Sequence, residues 1–288
     1  MNSNITLNEA LHLISNANIK PLQKEKVFIH NSVNRILYDD IKAIESSPKF
    51  DTSSMDGYAF CYSDLERLQN AGLEILSINK AGNENECEVG KGKCIKTFTG
   101  AKIPKNADTI AIVEQVYIKN NRIFLNENEE VAPYRFIRKI GENYKKGDVL
   151  LPKGMQINPF HIGILAQNNT IFLQVYRKPR ISILTSGDEI AEIGEIKEND
   201  NFIYSSNNHT LYAITKALGC ESSIHNIIQD SKLEIKNAIE SALESSDMVI
   251  TTGGMSKGDF DFTKEVIKDF GETIFESVKI KPGKVVSY

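Results

Sequence analysis

The stretch TTGGMSKGDFDF, residues 251–262, follows the apolar run DMVI and sets two glycines, a serine, a lysine, a third glycine and two spaced aspartates in a row. A strand that ends in glycines and runs into a helix start presents backbone N–H groups to an anion, and the positive end of the helix dipole favours negative charge there. Gly253 and Gly254 let the backbone approach such a ligand, Ser256 can donate to a phosphate oxygen, and Lys257 can offset its charge. Asp259 and Asp261 cannot both touch a phosphate, because like charges repel. A metal bridging carboxylate to phosphate, or a helix cap made by one aspartate, resolves the conflict. The spacing fits neither a Walker loop nor the GxGxxG of dinucleotide binders. A capped glycine turn with no ligand is the plain alternative.

Other clusters carry similar chemistry. LTSGDEI ends an apolar run with Gly187, Asp188 and Glu189, acids that either serve a ligand or are solvated. KIKPGK sets Lys279, Lys281 and Lys284 around a Pro-Gly turn, either a receptor for an oxyanion or a solvated edge strand. SSMDGYAF contributes Asp56, TFTGAKIPKNADTIAIVEQ contributes Thr99, Asp108 and Glu114, and RFIRKIGEN contributes Arg135, Arg138, Lys139 and Glu142. Each of these alone reads equally as turn chemistry or surface charge.

The elements that must position these groups change character along the chain. Residues 7–17 carry apolar positions at helical spacing behind Thr6, a candidate N-cap. KVFIH and RILYDDIKA read as short strands. LEILSIN, KCIKTF, TIAIVEQVYIK and RIFLN read as strands separated by Gly-, Pro- and Asn-rich turns. One helix is expected over residues 159–167, with Pro159 in its first turn. After Lys178 strands alternate with helices: RISILTSG, NHTLYAITKALG, ESSIHNIIQ, SKLEIKNAIESALESS, DMVITTGG, DFTKEVIKDFG and TIFESVKIKPGK. That alternation predicts a parallel, doubly wound sheet with ligands beyond the carboxyl ends of its strands.

Composition sets outer limits. The 288 residues are 41% hydrophobic and 25% charged, with a net charge of -4, as in a globular multidomain protein with no electrostatic call on nucleic acid. No window approaches the roughly 20 apolar residues of a membrane span, and no signal peptide opens the chain, so a cytoplasmic protein is expected. The cysteines (Cys61, Cys87, Cys94 and Cys220) form no CxxC pair and no zinc spacing, and read as reduced thiols.

Taken together, SSMDGYA, FTGAKIPKNADTIAIVEQ, IRKIGENYKKGDVLLPKG, ISILTSGDEI, IYSSNNHTLYAITKALG, DMVITTGGMSKGDFDFTKEV and KIKPGK stand in the order found in the molybdopterin molybdenumtransferase family, the MoeA-type enzymes and the gephyrin E domain. The chain resembles that family along nearly its whole length. The resemblance implies insertion of molybdate into adenylylated molybdopterin, with Mg²⁺, releasing AMP. It also implies a homodimer whose site is shared between subunits. By this likeness Asp56, Thr99, Glu189, Asp230 and Asp261 fall on catalytic positions, and Asp56, Glu189 and Asp261 on metal-binding ones. Arg138, Asn207, Gly253, Gly254, Ser256, Lys281 and Lys284 fall on substrate-binding ones. Asn143 stands where the family pattern has an aspartate, and Ser186 where it has a threonine.

The fold expected from the resemblance is α/β multidomain. An N-terminal helix and linking-domain strands (1–45) precede an inserted β-domain (46–140). The second part of the β-rich linking domain (141–177) leads to a doubly wound molybdopterin-binding domain (178–288). That domain is expected to be incomplete, since family members continue past KPGK. Two rival functions are a related molybdopterin adenylyltransferase, whose pattern is GGTGPTxxDxT, and a scaffold that binds ligand without turnover.

Overall fold

In the computed structural model, which describes residues 3–83, 87–196, 201–254, 262–281 and 284–288, the chain divides into two units. Phe28–Val33 and Leu37–Leu173 form one; Met1–Val27, Asn34–Ile36 and Gln174–Tyr288 form the other.

The first unit is β-rich. Its six-stranded sheet runs in the order Thr109–Ile112, Gly57–Phe60, Lys93–Thr97, Leu73–Asn79, Arg122–Leu125 and Val116–Lys119. Gly57–Phe60 is buried at every residue and antiparallel to both neighbours, with Tyr58 opposite Lys96 and Ala111. A continuous apolar run suits such a central strand. Tyr58, Phe60, Leu68, Leu73, Cys94 and Ile123 pack into one core. Burying each large apolar side chain there is worth about 1.5–3 kcal/mol. Burial also pushes the Cys94 thiol up to about 12.

The expected single strand TIAIVEQVYIK is instead two, broken by a 3-10 turn at Val113–Gln115. Gln115 causes the break. Its buried amide needs partners, accepting from Ile112 N and donating to Glu129 Oε2 and Glu130 O. RILYDDIKA keeps only Ile41–Lys42 as strand, because Asp40 turns its carboxylate onto Lys153 N at 2.8 Å. The helix Pro159–Gln167 has the expected bounds, capped by Asn158.

The second unit is α/β. Its parallel sheet has the order Glu221–Ile224, Arg180–Thr185, Met248–Thr252, with Ser182 opposite Ser223 and Val249. The helices Asn207–Ala217 and Lys232–Ser245 connect these strands. The first connection steps to one side of Arg180–Thr185 and the second crosses to the other. Right-handed crossovers therefore place the two helices on opposite faces, the doubly wound arrangement. Ile235, Ile239 and Ala242, spaced along one stripe of Lys232–Ser245, bury against Leu184 and Val266. The N-terminal helix Leu7–Ser15, with its Thr6–Glu9 capping box, packs Ala10 against Phe275 and Val278.

Two expectations fail here. DFTKEVIKDFG yields only Thr263–Ile267 as described helix. TIFESVKIKPGK forms no regular strand among the described residues, which show isolated bridge positions at Phe275 and at Val278, the latter parallel to Ile5. Its buried residues, Phe275 and Val278, lie three apart, and a period of three breaks the alternation a strand requires.

One ion pair anchors the entrance to Met248–Thr252. Asp247 accepts two bonds of 2.5 Å from Arg177 and one of 2.8 Å from Arg180 N. The Arg177 bonds hold its carboxyl at about 2. The folded value lies below the unfolded one, so this stabilisation is present above about pH 4 and is lost as pH falls through the folded value. Asp247→Asn is expected to cost about 1–2 kcal/mol at pH 7, allowing for partial exposure. Urea unfolding as a function of pH should show the gap from the unaltered chain closing toward pH 2. A gap that stays constant with pH would exclude this pair as its source. No helix among the described residues is long and apolar enough to cross a membrane.

Candidate functional site

In the β-rich unit, three segments distant in sequence are tied by backbone bonds. Gly100 N donates to Ser53 O at 2.8 Å and Ser53 N to Ala101 O at 3.0 Å, joining the loop after Thr99 to the strand before Asp56. Thr52 pairs with Arg138 on one side and bridges to Lys102 on the other. Asp56, Thr99 and Arg138, expected from sequence to act together, therefore sit in one loop cluster.

Within it, Asp56 Oδ1 accepts from Thr99 N at 2.7 Å and from Thr99 Oγ1 at 2.8 Å. These bonds, the backbone N–H first, hold the Asp56 carboxyl below its ordinary range although it faces solvent. Asp56 is thus an anion throughout the neutral range, and Thr99 serves it as a donor. The approach to Arg138 is strained: Tyr134 and Phe136 adopt φ of 62° and 64°, the left-handed region that bulky residues avoid. The strain is held by Ser54, whose N and Oγ both donate to Phe136 O, at 2.9 and 3.0 Å. Arg138 itself donates to Asn143 Oδ1 at 2.6 Å and to Glu142 Oε1 at 3.3 Å. Among the described residues these are its side-chain partners, leaving further guanidinium donors for a ligand.

In the α/β unit, Arg180–Thr185 and Met248–Thr252 are the strands between which the order reverses. Ligands collect beyond the carboxyl ends of such strands. There Ser186 N donates to Thr252 O at 3.0 Å, and the Thr185 and Thr252 hydroxyls lie 3.1 Å apart. Gly253 has φ 95°, and a Cβ on it would stand 2.1 Å from Ser186 O. Gly254 has φ 59°, and its Cβ would stand 2.4 Å from Thr263 Oγ1. Only glycines fit this turn.

Asp188 and Asp230 meet reciprocally: Asp230 N donates to Asp188 Oδ1 at 3.2 Å, and Asp188 N to Asp230 Oδ2 at 3.4 Å. The neighbouring Glu189 instead folds its carboxylate back over Gly187. The sequence offers Asp188 and Glu189 alike as acids for a ligand, and the resemblance puts only Glu189 on a site position; which of two adjacent acids meets Asp230 depends on the turn, which spacing does not specify. A cavity of about 520 Å³ opens here, lined by Gly187, Asp188, Glu192, Asn226, Ile228 and Gln229.

Asn207 is exposed at the first position of its helix. Asn208, unremarked in sequence, is buried and donates to Glu192 Oε2 at 3.3 Å, while His209 Nε2 lies 2.6 Å from Glu192 Oε1. The His209 bond is the main reason the Glu192 carboxyl lies below its ordinary range. Lys281 and Lys284 lie on the segment after Val278, exposed, and among the described residues no bond ties either side chain to the Gly253 turn. Ser256 and Asp261, with Lys257 and Asp259, lie outside the described residues.

Among the described residues no three His, Cys, Asp or Glu side chains converge as a metal site made by protein alone requires. Mg²⁺ asks for less. It keeps several waters and takes one or two carboxylates plus substrate phosphate oxygens. The paired Asp188 and Asp230 beside an open cavity fit that pattern.

The profile of the MoeA N-terminal region (domain I and II) matches residues 5–168. The chain belongs to the MoeA family. A second profile, "Probable molybdopterin binding domain", matches residues 182–288 of this MoeA-family chain. The molybdopterin molybdenumtransferase of Haemophilus influenzae is 34% identical over 268 residues, which cover 93% of this chain and 65% of that protein. The protein of the same name from Nostoc sp. is 32% identical over 87% of this chain and 58% of its own length. The chain thus spans less than two thirds of these relatives. The crystal structure of a molybdopterin biosynthesis MoeA protein from Pyrococcus horikoshii superimposes with a TM-score of 0.83 at 28% identity, covering 99% of this chain and 72% of that one. The MoeA fold accounts for both units described above.

Proposed function

We propose that this MoeA-family chain inserts molybdate into adenylylated molybdopterin, with Mg²⁺-dependent release of AMP, in the cytoplasm and as a homodimer whose site is shared between subunits. The observation that carries this reading is the 34% identity across 93% of the chain to a relative named molybdopterin molybdenumtransferase. The match of residues 5–168 to the MoeA N-terminal region weighs against an adenylyltransferase that consists of the α/β domain alone.

The residues supply suitable chemistry. The Gly253–Gly254 turn, with Ser256, offers backbone and hydroxyl donors to the pterin phosphate. Arg138, Lys281 and Lys284 offer charge-assisted bonds to the molybdate dianion, and Asn207 offers an amide to the pterin. Asp188 and Asp230, which meet beside the open cavity, join Asp56, Glu189 and Asp261, the set expected from sequence, as the carboxylates from which one or two would hold Mg²⁺. The bound ion would neutralise phosphate charge as the AMP bond breaks.

The test is AMP release from adenylylated molybdopterin plus molybdate, with Mg²⁺ and with EDTA. Release that requires both molybdate and Mg²⁺ is expected. Tight binding of the adenylylated pterin with no AMP released would replace this reading with that of a ligand-binding scaffold.

A further inference from the structure

Arg138 is gripped asymmetrically. Its guanidinium donates to one carboxylate, Glu142 Oε1 at 3.3 Å, and more closely to one neutral amide, Asn143 Oδ1 at 2.6 Å. Arginine has only donors, so this bond fixes which way the Asn143 amide points. Its Nδ2 then donates to Ser47 Oγ at 3.2 Å, and Gln167 Nε2 donates to the same oxygen at 3.1 Å. Glu142 is engaged at both oxygens, its Oε2 accepting from Lys139 N at 3.1 Å. Lys139 Nζ is paired with Asp51 at 2.8 Å, so its charge is already met. The guanidinium is thus held in place by an amide that is itself held by Ser47, with one carboxylate beside it instead of two.

We propose that Asn143 is a positioning residue that aligns Arg138 for a tetrahedral oxyanion and, being neutral, leaves the guanidinium charge available to it. The proposal rests on the reading above that Arg138 meets an anion. A carboxylate at 143 would accept the same hydrogen bond but would compete with the ligand for the same positive charge. An alanine would free the guanidinium to wander without adding charge. The two substitutions therefore separate alignment from charge. If residue 143 merely braced the loop, the isosteric aspartate would be the milder change. If it sets the field at Arg138, the aspartate is the worse one.

The experiment is equilibrium dialysis of the full chain against sodium molybdate alone at low ionic strength. Far-UV circular dichroism and thermal melts check that each variant is folded. Asn143→Asp is expected to weaken molybdate binding about tenfold and Asn143→Ala about threefold. The double variant Glu142→Gln with Asn143→Asp restores a single carboxylate beside Arg138 and is expected to recover affinity to within about twofold of the unaltered chain. Wild-type affinity in Asn143→Asp, or no recovery in the double variant, would overturn the proposal. Arg138→Gln reports separately on its foundation. If that variant binds molybdate as the unaltered chain does, or if the unaltered chain binds none, the anion-site reading of Arg138 itself fails.

Discussion

Gly253→Ala is expected to destabilise the α/β unit by roughly 3 kcal/mol, the largest single effect of any substitution considered for its stability. Two costs combine. The φ of 95° is a conformation that L side chains rarely adopt. The new Cβ would also stand 2.1 Å from Ser186 O, a backbone atom with no rotamer by which to retreat, on a residue whose N–H is tied to Thr252 O. Relief would require parting Met248–Thr252 from Arg180–Thr185 where Ser186 N reaches Thr252 O. Gly254→Ala should cost less, because its φ of 59° is the milder left-handed conformation and its obstacle is a threonine side chain. Gly271→Ala is the control, since a Cβ there meets nothing within 4 Å. Denaturant midpoints for the three variants test the ranking. A Gly253→Ala chain as stable as the Gly271→Ala control would show that the turn opens freely, and a rigid cradle for a phosphate would lose its basis.

Much of the architecture was legible because local signals and tertiary demands agree. LEILSIN is a strand to the residue, and the helix Pro159–Gln167 begins at its proline behind a capping Asn158. Errors arose where one buried side chain overrode a pattern. TIAIVEQVYIK alternates well enough for one strand, yet Gln115 must satisfy its amide and turns the chain. TIFESVKIKPGK has strand-like residues, but what buries it is the pair Phe275 and Val278 against Ala10, a contact more than 260 residues away in sequence.

The site was legible in a different way. Asp56 and Thr99 stand 43 positions apart, and no spacing rule relates them; the ordered motifs did so through resemblance. What motifs could not convey is the identity of the acid that meets Asp230, or the part played by Asn143. Each depends on which way a short loop folds. Asn143 looked in sequence like the loss of a charge. In the fold it is the atom pair between Arg138 and Ser47.

Asp56→Asn should reduce Mg²⁺-dependent AMP release at least about a hundredfold while leaving the fold intact. The amide keeps an oxygen where Oδ1 now accepts from Thr99 N and Oγ1, so the loop is expected to hold its shape. What it loses is the negative charge. Because the Thr99 bonds hold the Asp56 carboxyl below its ordinary range, that charge is present at every pH from 5 to 8 in the unaltered chain. The defect should accordingly be uniform across this range, with no recovery at its acid end. Asp56→Ala removes both charge and loop tie. It should be no more active than Asp56→Asn, and hydrogen exchange at the Thr99 amide should rise in the alanine variant alone. If Asp56→Asn retained most of its turnover while Asp56→Ala lost it, Asp56 would be a loop brace whose acceptor oxygen is its whole contribution. The carboxylates of the α/β unit would then have to carry the metal unaided.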